Sequence, residues 1–121
     1  MPTVRRQFGD RGEQIAEHFL LQKGYVLLER NFLVRRGEID LIFESPERVL
    51  VFVEVKTRSS TAFGTPAEGI SFAKAQHLVS AAYAYLEKHQ LGERDFRIDL
   101  VSVLFPGPQI EHIPNILEGI S

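Results

Sequence analysis

Gly37-Glu38-Ile39-Asp40-Leu41-Ile42-Phe43, a break at Ser45-Pro46-Glu47-Arg48, then Val49-Leu50-Val51-Phe52-Val53-Glu54-Val55-Lys56: the reading of this stretch decides the fold. In the first run Ile39, Leu41 and Phe43 alternate with Glu38, Asp40 and Ile42, the period of a strand. The second run, Val49 to Val55, is apolar on both faces and rich in β-branched residues. Such a run predicts a central strand covered on both sides. Covering both sides of a sheet requires helices elsewhere in the chain.

Outward from this stretch the helices are found. Upstream, Ile15, Ala16, Phe19 and Leu20 recur at helical spacing within about Asp10 to Lys23, and Gly24 supplies a stop signal. Residues 25–28 and 31–34 then read as one irregular strand, turned by Arg35-Arg36-Gly37. Downstream, the Ser, Thr, Gly and Pro content from Thr57 to Gly69 predicts a loop. A second helix is expected over Ser71 to His89, with Leu78, Val79, Ala82, Tyr83 and Leu86 as its buried stripe. Arg97 to Phe105 is a further strand, and the tail after Ile110 has room for a short edge strand. The order helix, three strands, helix, strand predicts an α/β fold, a mixed central sheet flanked by helices.

Size and composition bound the rest. At 121 residues and 44% hydrophobic, residues 1–121 are expected to form one domain around one core. With no Cys there is no disulfide frame, thiolate metal site or Cys nucleophile. No apolar run reaches the roughly 18 residues of a membrane span, and Met1 to Arg11 lacks the apolar stretch of a secretory signal. A cytoplasmic protein without a membrane partner is expected. The net charge of −2 is not the footprint of a basic nucleic-acid binder. The charge is uneven, however: Arg5, Arg6, Arg11, Arg35, Arg36 and Arg58 all lie in the first half. A metal-dependent nuclease also carries carboxylates for its metal, which lowers net charge without removing a basic rim.

The candidate chemistry sits in the deciding stretch. Glu54 and Lys56 are two apart on one strand and share a face. If the two strands form a hairpin, Asp40 pairs near residue 54 or 55. Two carboxylates and an ammonium then converge at the end of a buried sheet. Mg²⁺ or Mn²⁺ prefers such oxygens, and phosphodiester hydrolysis needs such a cation to neutralise phosphate and activate water. Lys56 is placed to orient that water or to stabilise charge at phosphorus. Glu13 and Glu17, one helical turn apart, each offer a third carboxylate. The competing account is a structural ion pair at a strand end; against it, an unpaired charge inside so apolar a strand is costly.

Gly37-Glu38-Ile39-Asp40-Leu41-Ile42, Val51-Phe52-Val53-Glu54-Val55-Lys56-Thr57-Arg58 and Phe63-Gly64-Thr65-Pro66 together resemble the bacterial YraN family of endonuclease-like proteins. Gly9-Asp10-Arg11-Gly12-Glu13-Gln14-Ile15-Ala16 and the stretch from Tyr25 to Asn31 fit the same pattern. More distantly the arrangement is similar to archaeal Holliday-junction resolvases and the PD-(D/E)xK nuclease superfamily. The resemblance implies a restriction-endonuclease-like αβββαβ core. It implies that Asp40, Glu54 and Lys56 are catalytic and that Glu13, Asp40 and Glu54 hold Mg²⁺ or Mn²⁺. A Gly-x-x-x-Glu setting in the resolvases matches Gly9 to Glu13 and favours Glu13 over Glu17. DNA is the implied partner, and two-fold cutting of a junction implies a homodimer. Ile-Asp stands here in place of Pro-Asp at the first motif, a position that varies in the superfamily.

Other residues have weaker claims. Arg58, Lys74 and the turn residues Arg35 and Arg36 are candidate phosphate contacts, and solvated surface charges on the bland account. Glu38 is a candidate for support of Asp40, or a turn cap. Asp99 pairs most simply with Arg97 or Arg94, and the four His show no ligand spacing. The alternative to an endonuclease is a non-catalytic nucleic-acid-binding or protein-interaction module that keeps the nuclease fold.

Overall fold

A computed structural model describes residues 3–35, 37–59 and 69–117. Helix α1 (Val4–Gln22) leads into strands β1 (Val26–Val34), β2 (Gly37–Glu44) and β3 (Leu50–Arg58). Helix α2 (Phe72–Lys88), β4 (Phe96–Leu104) and β5 (Gln109–Ile113) follow. The sheet order is β1-β2-β3-β4-β5. All neighbours are antiparallel except β3 and β4, which are parallel because α2 returns the chain to the same edge. The expected α/β fold is present, with an αβββαβ core and β5 as a fifth strand. Arg36 and the Phe63-Gly64-Thr65-Pro66 motif lie outside the described residues.

The doubly apolar reading of β3 holds. Leu50 and Phe52 pack on the α2 side with Leu78, Ala81, Ala82, Tyr85 and Leu86. Val51 and Val53 pack on the α1 side with Ala16 and Leu20. Burial of each such large side chain contributes about 1.5–3 kcal/mol. Among the described residues no helix is long and apolar enough to cross a membrane.

Several boundaries differ from expectation. Helix α1 starts at Val4, six residues before Asp10, because the Thr3 hydroxyl caps it by accepting from Arg6 N–H at 3.1 Å. Gly9 and Gly12 lie inside it. A Cβ at Gly12 would stand 1.9 Å from Thr57 Oγ1, so the glycine lets α1 lie directly on β3. Strand β3 runs on to Arg58, beyond the expected loop start at Thr57, because the parallel ladder to β4 continues to Arg58↔Leu104. Tyr83 is 59% exposed, contrary to the expected stripe. Ala75, Leu78, Ala81, Ala82, Tyr85 and Leu86 form the buried face of α2, and Tyr83 lies off it, edge-on to Phe96.

Strand β2 also departs from strict alternation. Leu41 and Phe43 belong to the α1-side cluster, but Ile39 joins the α2-side cluster. The change of face falls at Asp40. There the β2–β3 ladder, regular from Glu44↔Leu50 to Leu41↔Val53, ends.

Candidate acidic site at the end of the sheet

The site begins where β2 and β3 part. Leu41↔Val53 is the last pair of the ladder, and Asp40 and Glu54 are the next residues on the two strands. Asp40 Oδ2 accepts from Val55 N–H at 2.7 Å, so its carboxylate takes a β3 donor that the ladder leaves unpaired. The half-buried Glu54 stands close enough to Asp40 for one carboxyl to donate a proton to the other. Helix α1 supplies Glu13, because Gly12 holds that turn against β3. Carboxylate oxygens of Glu13, Glu38 and Asp40 all lie within 4.8 Å of one another.

This convergence of acids has an electrostatic cost. Burial, then the charge of Glu54, push the Asp40 carboxyl up to about 8; Glu13 and Glu38 add to the rise and the Val55 hydrogen bond opposes it. Burial also raises Glu54, against the charge and hydrogen bonding of Lys74, the Asp40 bond and the charge of Lys56. Glu13 is raised by burial and by Glu38, Asp10 and Glu54, with Asn31 opposing. Lys74 Nζ stands 3.3 Å from Glu54 Oε2, and among the described residues that buried oxygen has no better-aligned donor. An all-carboxylate donor set, one buried oxygen of which is met only by a half-exposed ammonium among the described residues, suits a hard divalent cation.

Lys56 follows two residues after Glu54, its ammonium lying over Gly69, where a Cβ would come within 1.9 Å. Burial, Arg58 and Lys74 lower its pKa, with Glu54 opposing. Lys56, Arg58 and Lys74 thus gather on the Glu54 side. Arg35 stands exposed at the β1–β2 turn, beyond the Glu38 end of β2, and Arg36 is outside the described residues. Glu17 does not join the acids: Arg30 holds it with two hydrogen bonds, at 2.6 and 2.9 Å. Asp99 is also elsewhere, bonded to Arg97 and His112.

Sequence reasoning passed over Asn31, Gly12 and Gly69. Asn31 Nδ2 donates to both Glu13 Oε1 and Glu38 Oε1, each at 3.0 Å. Its signal was a polar residue breaking the apolar run Phe32-Leu33-Val34 at its start. The two glycines are legible only once their close neighbours, Thr57 and Lys56, are known. Beside the acids lies a cleft of about 680 Å³, with Arg6, Asp10, Glu13, Asn31, Leu33 and Glu38 in its wall.

A family model described as "Uncharacterised protein family UPF0102" matches residues 12–103, a span that includes Glu13, Glu38, Asp40, Glu54 and Lys56. A UPF0102 protein of Trichlorobacter lovleyi is 41% identical, the match covering 98% of each chain. One of Myxococcus xanthus is 40% identical over 98% of this chain and 94% of its own. One of Clostridioides difficile is 38% identical over 91% and 96%.

Proposed function

Starting from a chain that belongs to the UPF0102 family, we propose a divalent-metal-dependent DNA endonuclease that hydrolyses phosphodiester bonds, with branched DNA as its leading substrate. The observation that carries the reading is the convergence of Glu13, Glu38 and Asp40, with carboxylate oxygens all within 4.8 Å of one another, next to a buried Glu54 oxygen that among the described residues meets only the Lys74 ammonium, at 3.3 Å. Glu13, Asp40 and Glu54 would hold Mg²⁺ or Mn²⁺. When bound, such an ion neutralises phosphate charge and lowers the pKa of water. Lys56, its ammonium partly desolvated, orients the attacking water or stabilises charge at phosphorus. Arg58 and Lys74 meet the phosphate from the Glu54 side, and Arg35 meets the backbone from the β1–β2 turn. The reaction is an in-line displacement: a P–O bond forms to water as the P–O bond to the leaving sugar breaks.

The motif order supports the same reading by resemblance. Glu13, Asp40 and Glu54-Val55-Lys56 follow the pattern of the YraN family, the archaeal resolvases and the PD-(D/E)xK superfamily. Cutting both strands of a junction needs two sites, so the reading includes a homodimer; it also includes a cytoplasmic location, with which the lack of Cys is compatible.

The test is cleavage of four-way junctions, flaps and linear duplex in Mg²⁺, Mn²⁺ or EDTA by the parent, Asp40→Ala and Glu54→Ala. Each variant should lose roughly 10³-fold or more in rate with an unchanged circular dichroism spectrum. Retained cleavage in either sinks the assignment. A second reading, a nucleic-acid-binding or protein-interaction module without turnover, is favoured by the net charge of −2. It predicts binding without cleavage. DNA affinity that falls steeply with salt marks a nucleic-acid binder, and no DNA affinity at low salt marks a protein adaptor.

A further inference from the structure

Neighbouring residues on β1 hold two of the α1 carboxylates, Glu13 and Glu17, in different ways. Arg30 grips Glu17 with a guanidinium, bidentately, and so neutralises it. Asn31 grips Glu13 with a neutral amide and shares that amide with Glu38. The amide nitrogen carries two hydrogens, so one group can serve both acceptors. Resting on the metal-site reading above, we propose that Asn31 is a positioning residue of that site. Through one amide it ties Glu13 of α1 to Glu38 of β2, and so sets the α1 carboxylate beside Asp40.

Like charge drives these acids apart: Glu38, Asp10 and Glu54 all act against ionised Glu13. A lysine or arginine at position 31 would hold Glu13 and Glu38 together, but as a counter-charge competing with a bound cation. A neutral donor holds two anions and leaves their charge available. The backbone fits the role. Asn31 lies between the pairs Arg30↔Leu41 and Phe32↔Ile39, level with Asp40, and its φ of 52° is in the left-handed region that Asn tolerates.

The test is calorimetric titration of Mn²⁺ into the parent, Asn31→Gly and Asn31→Ser, with metal-free melting read in parallel. Glycine keeps the left-handed backbone without strain; serine keeps a short polar group that cannot bridge both carboxylates. Both variants should bind Mn²⁺ roughly 10- to 100-fold more weakly, the usual effect of losing a group that orients a ligand. If Asn31→Gly does not fold, Asn31→Ser decides. A changed melting temperature with unchanged Mn²⁺ affinity means a structural role only and overturns the inference while the metal site stands. No Mn²⁺ binding by the parent overturns the site and the inference together.

Discussion

Asp40 and Asp99 lie almost level on either side of β3: Leu41, next to Asp40, pairs with Val53, and so does Asp99. Their surroundings are opposite. Asp99 is fully buried and accepts from Arg97 Nε at 3.0 Å, His112 Nε2 at 2.8 Å and Asn115 N–H at 2.9 Å. Lys23 Nζ, 2.9 Å from His112 Nδ1, can only donate, so Nε2 carries the proton offered to Asp99. Burial pushes the Asp99 carboxyl up, but the bonds from His112, Asn115 and Arg97 and the charge of Arg97 outweigh it, and it settles below its ordinary value. Asp40 receives the Val55 hydrogen bond, but burial first, and then the neighbouring carboxylates, hold it far above its ordinary value. A buried acid matched by donors inside the chain is part of the fold. One left unmatched is destabilising until charge arrives from outside, and it marks where function is to be sought.

The hardest test of this contrast is a pair of isosteric substitutions with opposite expected signs. Asp99→Asn strips the counter-charge from Arg97 and should cost about 3 kcal/mol, a melting temperature lower by roughly 10–15 °C in metal-free buffer. At pH 8.5, where folded Asp40 is ionised, Asp40→Asn keeps an acceptor for Val55 N–H and removes one repelling charge. It should gain about 1–2 kcal/mol, or roughly 4–8 °C, under the same conditions. If both variants melt lower by similar amounts, the two aspartates do the same structural work and the contrast is broken.

The fold was readable wherever pattern alone decides it. The doubly apolar run Val49 to Val55 and the helical spacing of Leu78, Ala82 and Leu86 each predicted what is seen. The hairpin count placed Asp40 near residues 54 and 55, and its carboxylate does reach Val55. What could not be read depends on neighbours distant in sequence. The ladder's end at Leu41 turns Ile39 to the α2 side, and no local alternation announces it. Gly12 matters because Thr57 lies across from it, and Asn31 because Glu13 and Glu38 do. Tyr83 misled because an aromatic in an apolar helix suggests core, yet it sits off the buried face of α2.

The pH dependence of stability sharpens the comparison with a smaller effect. Asp40 titrates near 8 in the folded chain and near its ordinary 3.8 when unfolded. Between those values the folded state keeps a proton that the unfolded state has lost. Its stability contribution is therefore complete below about 4 and is lost as pH rises towards 8. Asp99 has the reverse sign: its contribution is present above the ordinary carboxylate range and lost as acid protonates it. The metal-free parent should thus lose roughly 3–5 °C relative to Asp40→Asn between pH 5.5 and 8.5, within the span of the Asp40 effect. Parallel melting curves for the two proteins across that window would show that Asp40 does not titrate there.

The smallest effect expected is also the most discriminating, because it separates two roles of one cation. Lys74 is the ammonium nearest the buried Glu54 oxygen, yet its side chain is 42% exposed. Its pairing is therefore weak: Lys74→Met should lower the metal-free melting temperature by only about 1–3 °C, the result of losing roughly 0.5 kcal/mol. Arg97, by contrast, is bonded to a fully buried partner, Asp99. If Lys74 stands in for a cation that the site is built to receive, removing it also removes a competitor for Glu54. The melting-temperature rise produced by Mn²⁺ should then be larger in Lys74→Met than in the parent, although the metal-free variant is the less stable protein. A smaller rise would mean that Lys74 holds Glu54 in place for the metal. Glu54 would then resemble Asp99, an acid whose cation belongs to the fold.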